Sequence, residues 1–437
     1  MTHAKPLDTF DEDRLGRESL ADYLTTFIKT TLPAVNENSF VLALDSPWGT
    51  GKTSFIQMWR DKLDLSGELY NIITYNAWEN DDCETALIPL ICSFSQLEKD
   101  VEDEKHLLEV IKEVLKILLP RVGNLILKNR LGIDTLDLAE ILKEVGDINT
   151  PNTIYENYKS TNAIKDKFRE LIQECTDDNK KLIIFIDELD RCRPTFAIET
   201  LEAIKHFFDL KNVIFIISLD TKQLSKSIKT VYGDIESEGY LRRFFDYQIP
   251  LPKSSLKEFL LERLTDGCHS PVYQIELLEK MADILPLSLR DLNVICKAYL
   301  RFIDSNDDTS GNIGSKLKYV PGHVGKNICL FFIALKYSDT NLYLKLIKEG
   351  VKIKSIPNGE SLIEYVFGIS EDSEDSLYYS PSVAQRTLHD VYMKDRDNNR
   401  TLYNVLLQYM GLNKVKNNST TVSEIMFNII EYGRATI

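Results

Sequence analysis

Hydrophobic and polar positions change their period several times along the chain, and each change predicts an element. Between 11 and 31 the residues Leu15, Leu20, Tyr23, Leu24, Phe27 and Ile28 recur at helical spacing, and the apolar run SFVLALD (Ser39 to Asp45) follows between turn signals. A helix therefore feeds a buried strand. A second apolar run, LYNIITYNAW (Leu69 to Trp78), comes after another helix. Further along, KLIIFID (Lys181 to Asp187), a helix from about Phe196 to Phe208, NVIFIISLD (Asn212 to Asp220), a further helix and FDYQIPLP (Phe245 to Pro252) repeat the alternation. Continuous apolar strands alternating with helices predict an α/β fold with a parallel sheet covered on both faces.

Between the second and third of these strands, Asp82 to Asp177 is largely helical by pattern, with a weak break at GDINTPNT, so a helical insertion is expected over about 82–178. After Pro252 the spacing is helical: Leu256, Phe259, Leu260 and Leu264, then Leu289, Leu292, Ile295 and Leu300. The polar stretch SNDDTSGNIGSK (Ser305 to Lys316) reads as a linker. Amphipathic segments recur from Pro321 to Ile437 without a convincing internal repeat. The expected organisation is a first domain over 1–253 carrying the insertion, a small helical domain at 254–305 and a carboxy-terminal helical domain at 317–437.

Composition narrows the class. Hydrophobic residues make up 43% of the 437 and charged residues 27%, so most of the chain should fold. Lys and Arg number 52 against 67 Asp and Glu, a net charge of −15 that disfavours a general grip on nucleic acid or anionic lipid, although a local basic groove could survive it. The seven cysteines are scattered without a CxxC pair, which predicts reduced thiols. The amino terminus lacks the apolar core of a secretory signal, and a cytoplasmic location is expected. The most apolar long stretch, Val114 to Lys128, carries Lys116, Pro120 and Arg121, so no membrane span is expected. The six histidines show no metalloprotease spacing.

The chemistry is concentrated in two motifs. SPWGTGKTS (Ser46 to Ser54) lies directly after one predicted strand and before an amphipathic helix, the context a phosphate-binding loop requires. Gly49 and Gly51 let the backbone curl so that its N–H groups point at a phosphate chain, and the helix N-terminus adds favourable partial charge. Lys52 would reach the β and γ phosphates, and the Thr53 hydroxyl would hold Mg2+. Ser46 stands where the usual motif has glycine, and Pro47 after it pushes Ser46 toward extended geometry. IIFIDELDR (Ile183 to Arg191) supplies the acids: Asp187 on the metal side, and Glu188 placed to take a proton from water.

Taken together, these residues resemble the KAP-family P-loop NTPases. The resemblance rests on a WGxGK[ST]S loop (Trp48, Gly49, Thr50, Gly51, Lys52, Thr53, Ser54), an NAW element (Asn76, Ala77, Trp78) and an acid-rich segment Asp187-Glu188-Leu189-Asp190-Arg191, over roughly 1–305. It implies a sheet of the additional-strand type, with Ser218 or Asp220, at the end of the neighbouring strand, as sensor of the γ-phosphate or water. Many members carry membrane helices between the two motifs; here about 130 residues separate Lys52 from Asp187, but their helices are charged. Arg242 or Arg243, before the last strand, corresponds to the arginine finger of related oligomeric ATPases. Arg290 resembles the arginine with which a helical lid, here 254–305, closes on nucleotide. A planar guanidinium grips phosphate oxygens bidentately, which suits it to both jobs. Trp48 and Trp78 are read as packing the loop against the sheet.

The resulting expectation is an ATPase that uses ATP and Mg2+ as a switch, oligomerises, and passes its signal to a protein partner or effector. The family resemblance suggests a bacterial antiphage defence or signalling setting. The absence of a guanine-reading Asn/Thr-Lys-x-Asp motif, together with the family, favours ATP over GTP. A nucleic-acid translocase or remodelling motor is an alternative that lacks a basic, aromatic-interleaved surface. A scaffold that only binds ATP is another, against which Glu188 speaks.

Overall fold

In the three central strands successive residues enter alternate apolar layers, which is why uninterrupted hydrophobic runs form them. The computed structural model describes residues 9–30, 38–65, 70–99, 180–252, 255–265, 271–307 and 322–344, with single positions between 166 and 176. The strands are β1 (Phe40–Asp45), β2 (Tyr70–Asn76), β3 (Lys181–Asp187), β4 (Val213–Leu219) and β5 (Tyr247–Pro250). They form one parallel sheet in the order β2-β3-β4-β1-β5, with Ala43 opposite Ile217 and Ile184 opposite Phe215. β4 is thus inserted between β1 and β3, the additional-strand arrangement.

One face gathers Val41, Ala43, Ile184, Ile186, Phe215 and Ile217 against α3 (Leu87–Cys92), α4 (Pro194–His206) and α5 (Thr221–Tyr232). The other gathers Leu42, Leu44, Ile183, Phe185, Ile214 and Ile216 against α1 (Glu18–Thr30) and α2 (Lys52–Leu65). Trp59 of α2 is wholly buried there, its ring 5.5 Å from and nearly perpendicular to that of Phe185, while its Nε1 donates to Thr25 Oγ1 of α1 at 2.9 Å. Burial of such a side chain is worth about 1.5–3 kcal/mol, and the hydrogen bond removes the cost of a buried N–H.

Caps explain where the elements begin and end. The helix expected from residue 11 begins at Glu18, because Gly16 is left-handed (φ 63°) and the Asp13 carboxylate accepts from the N–H groups of Leu15 and Arg17. β2 stops at Asn76, whose side-chain oxygen accepts from the N–H groups of Trp78 and Glu79 and turns the chain into a short 3-10 turn. Pro194 opens α4 at a position where its missing N–H costs nothing. Asp220 caps α5 by accepting from Lys222 N and Gln223 N. After α5 and the short α6 (Ser237–Leu241), β5 covers only the middle of the run expected to span 245–252.

The chain divides into two compact units, Met1–Lys253 and Ser254–Ile437. The second contains α7 (Lys257–Leu264), α8 (Val272–Ile284), α9 (Leu289–Asp307), α10 (Gly322–Ser338) and α11 (Thr340–Leu344), around Leu260, Leu278, Met281, Leu292, Ile295, Tyr299 and Phe331. α9 starts with a reciprocal cap: Ser288 N and Oγ donate to Asp291 Oδ2, and Asp291 N donates back to Ser288 Oγ. It continues to Asp307, so the first residues of the expected linker are helical. The rest of that linker, most of the expected insertion and the chain from 345 lie outside the described residues. Among the described residues no helix is long and apolar enough to cross a membrane.

Candidate functional site

The sheet delivers its functional residues to one edge. β1 ends at Asp45 and runs into the loop 46–51, β3 ends at Asp187, β4 ends at Leu219 just before Asp220, and β2 ends at Asn76. In a parallel sheet these are all carboxyl ends, where ligands of open α/β folds bind. Ser46 N donates to Leu219 O at 3.1 Å, so the loop departs from β1 while still tied to β4.

Gly49 (φ 76°) and Gly51 (φ 87°) both take the left-handed conformation that lets the loop curl before α2. Thr50 Oγ1 donates to Pro47 O at 2.8 Å and closes the curl from inside. Lys52, the first residue of α2, donates through Nζ to the carbonyls of Ser46 (2.5 Å) and Pro47 (3.3 Å). Partial burial lowers its pKa from the ordinary lysine value, and the carboxylates of Asp190, Asp220, Asp187 and Asp45 oppose that shift. One cation thus faces the strand-end acids. Thr53 is exposed at the first turn of α2 and Ser54 is half-buried beside it.

Glu188 is the unusual residue. It is left-handed (φ 61°), a conformation that costs a non-glycine residue energy and turns its side chain away from the strand direction. Its Oε2 accepts from Asn76 Nδ2 at 3.3 Å and its Oε1 accepts from Arg191 Nη1. The Arg191 guanidinium also lies over the Trp78 ring, 5.4 Å from its centroid. Burial pushes the Glu188 pKa above the ordinary value; Arg191 and Asn76 pull it back, while Asp187 and Glu79 push it further up. Its neighbour Asp187 has one oxygen, Oδ1, engaged by Glu188 N at 2.9 Å.

Asp190 is almost completely buried, and its Oδ2 accepts from both Trp48 Nε1 (2.8 Å) and Asp220 N (2.7 Å). Burial raises its pKa, opposed first by Lys52 and then by those hydrogen bonds. Ser218 is wholly buried and its Oγ has no hydrogen-bond partner. Asp220 uses its side chain as the cap of α5.

Lys52, Thr53, Asp187 and Glu188 therefore share one edge of the sheet, flanked by Ser218 at the end of β4. Arg242 and Arg243 are exposed in the turn between α6 and β5, and no side-chain ion pair holds either among the described residues. Arg290 is exposed in the first turn of α9 in the second unit. The tryptophans depart from expectation: Trp48 is 46% and Trp78 48% exposed, so neither is buried against the sheet. Trp48 is held by its polar N–H and Trp78 lies under a guanidinium, because each sits in a loop beyond the strand ends rather than over the apolar faces.

Asn76, Asp190 and Arg191 lie within the sequence motifs, but their contacts come from the fold. Asn76 and Asp187 are opposite one another in the β2–β3 register, which places Asn76 beside the next residue, Glu188. The signal was available only as a polar residue ending one apolar run and an acid ending another.

A β4 strand between the loop strand and the acidic strand, a loop curled on two left-handed glycines before a helix, and a lysine facing the strand-end acids define a P-loop NTPase core of the additional-strand class. The KAP family P-loop domain matches residues 17–294, and the chain belongs to that family. Over 53 residues, 12% of this chain, it is 45% identical to an uncharacterised protein of Methanocaldococcus jannaschii, and the match spans 27% of that protein. Among solved structures, the ORC2 protein of Aeropyrum pernix, in ADPNP and ADP complexes, aligns over 83% of this chain and 97% of its own at 13% identity and a TM-score of 0.35.

Proposed function

We propose that the protein binds ATP with Mg2+ and hydrolyses it slowly, using the bound nucleotide as a switch that a protein partner reads through the helical second unit. The observation that carries this reading is the double engagement of Glu188 by Asn76 and Arg191 at the edge where Lys52 and Asp187 also lie. A carboxylate paired with a guanidinium is a weaker base, so Glu188 must leave Arg191 before it can accept a proton from water. Hydrolysis is then conditional on a rearrangement, which is what a switch requires and a constitutive hydrolase does not.

Each group has a task that follows from its chemistry. The curled loop presents N–H donors to the phosphates, and Lys52 exchanges its carbonyl partners for phosphate oxygens, a stronger charge-assisted contact. Thr53 and Asp187 are hard oxygen donors, one exposed and the other with an oxygen outside its hydrogen bond to Glu188 N, and they fit Mg2+. The metal would supply charge neutralisation at the phosphates. Ser218, with its free hydroxyl, serves as sensor beside them. The family resemblance gives Arg290, in the expected lid at 254–305, the role of a lid arginine, and gives Arg242 or Arg243 that of a finger toward the nucleotide of an adjacent copy. A setting in bacterial defence or signalling rests on the family resemblance alone.

The test is ATP binding and turnover by the full chain with Mg2+, beside Glu188→Gln. Binding by both proteins with turnover only in the parent is the expected result. Failure of the parent to bind ATP in a calorimetric titration removes the reading.

A further inference from the structure

Arg17, the residue just before α1, is only 5% exposed, yet its side chain donates through Nη2 to the carbonyl of Thr50 at 2.8 Å, in the middle of the phosphate-binding loop. Its Nε is buried without a hydrogen-bond partner. Burial brings its pKa down from the ordinary arginine value of 12.5 to about 10, against the opposing pull of Asp13. An arginine kept under these conditions is costly, and an apolar side chain could fill the same space without that cost.

The mounting is rigid. The Asp13 carboxylate holds the N–H of Arg17 at 2.7 Å, and the Arg17 carbonyl accepts from Leu20 N and Ala21 N at the start of α1. α1 is in turn fastened to α2, the helix that begins with Lys52, by Trp59 Nε1 to Thr25 and by Lys62 between Glu18 and Asp22. The loop is anchored to one end of α2, and Arg17 approaches it from the start of the adjoining helix, one residue before α1.

What the contact does follows from the planar peptide. The Thr50 C=O and the Gly51 N–H belong to one trans peptide and point in opposite directions. A donor that holds the carbonyl on the outer side therefore directs the Gly51 N–H to the inner side of the curl. This peptide is also free to rotate, because Gly51 has no Cβ and already sits at φ 87°. Rotated, it would turn a carbonyl oxygen toward the phosphates, the wrong charge for an anion.

We propose that Arg17 is a positioning residue of the phosphate-binding loop, pinning the Thr50–Gly51 peptide so that its N–H faces the nucleotide without touching the nucleotide itself. The proposal rests on the reading that this loop binds ATP. Because the pinned N–H belongs to the ground-state phosphate cradle, its loss should weaken ATP and ADP alike and leave turnover at saturation little changed.

The experiment titrates the full-length protein and its Arg17→Met, Arg17→Lys and Leu24→Ala variants with ATP and with ADP, and measures KM, kcat and melting temperature for each. Arg17→Met is expected to lose about tenfold or more in affinity for both nucleotides with kcat within about twofold, the size of a lost charge-assisted hydrogen bond. Arg17→Lys, which keeps a cationic donor, should recover most of that loss. Leu24, wholly buried in α1, the helix that follows Arg17, controls for stability: Leu24→Ala should melt lower with unchanged affinity. Should Arg17→Met fail to fold, Arg17→Gln, a neutral donor on a shorter stem, is read in the same way. Parental affinity in the arginine variant, or loss of affinity in Leu24→Ala in step with it, overturns the proposal. Absence of ATP binding by the parent would instead overturn the nucleotide reading on which it stands.

Discussion

The indole Nε1 of Trp48 donates to Oδ2 of Asp190 at 2.8 Å, and the same oxygen accepts from Asp220 N at 2.7 Å. A single buried carboxylate thus fastens the loop after β1 to the first residue after β4, across the face where Lys52 sits. Asp190→Ala leaves two N–H groups without their acceptor, and a loss of about 1–3 kcal/mol is expected in urea unfolding. Asp190→Asn keeps an oxygen and should lose less. Equal losses in the two variants would mean that the carboxylate charge, rather than its acceptor role, stabilises the loop.

Lys52→Ala should fold and fail to bind nucleotide. The Lys52 side chain is only partly buried and its contacts are two loop carbonyls, so its removal creates no core cavity, while the phosphates lose their only cation in the loop. Near-parental ATP affinity in a folded Lys52→Ala protein, measured by isothermal titration, would contradict the role given to the loop.

The pH profile tests Glu188 and its partner together. A base must be ionised to accept a proton, so turnover falls as pH drops through the Glu188 pKa. Burial has raised that pKa and Arg191 holds it down. Removing the cation in Arg191→Ala lets it rise further, so the acid limb of kcat should move to higher pH. Above the limb, release of Glu188 should raise basal turnover several-fold. An acid limb that stays in place in Arg191→Ala would show that Glu188 is not the group that titrates. Asn76→Ala, which removes a neutral donor, should shift the limb in the same direction by less.

Assembly is tested through Arg242 and Arg243, both exposed and without a side-chain ion pair among the described residues. A γ-phosphate on an adjacent copy would give one of them a partner only when ATP is bound, which couples association to nucleotide. The Glu188→Gln protein should therefore grow in mass by light scattering when ATP and Mg2+ are added, and Arg242→Ala or Arg243→Ala should impair turnover more than binding. One unchanged mass, with parental turnover in both arginine variants, would remove the intersubunit finger and leave the rest of the reading in place.

Local order alone was enough for much of this protein. Lys181–Asp187 is a strand over the same residues as its run, since β3 is buried on both faces and every position between its two charged ends, Leu182 to Ile186, is apolar. The phosphate loop was legible too, because its two glycines, its lysine and the helix after it are consecutive, and the curl depends on backbone freedom at those positions. The start of α1 was less so: hydrophobic spacing continues back through Leu15, but a left-handed Gly16 and the Asp13 cap interrupt the helix there.

Only the tertiary structure decided which distant groups meet. The β2-β3-β4-β1-β5 order places Asn76 against Glu188, 112 positions later, and Trp48 against Asp190, 142 positions later. It also decided that Trp48 and Trp78 stand half in solvent, and that Arg17 reaches the carbonyl of Thr50 from outside the loop, just before α1. Periodicity reports which face of an element is apolar, and that is a property of neighbours in sequence. A side-chain hydrogen bond needs its donor and acceptor placed within about 3 Å and in line, and that placement is set by how the helices and strands pack together.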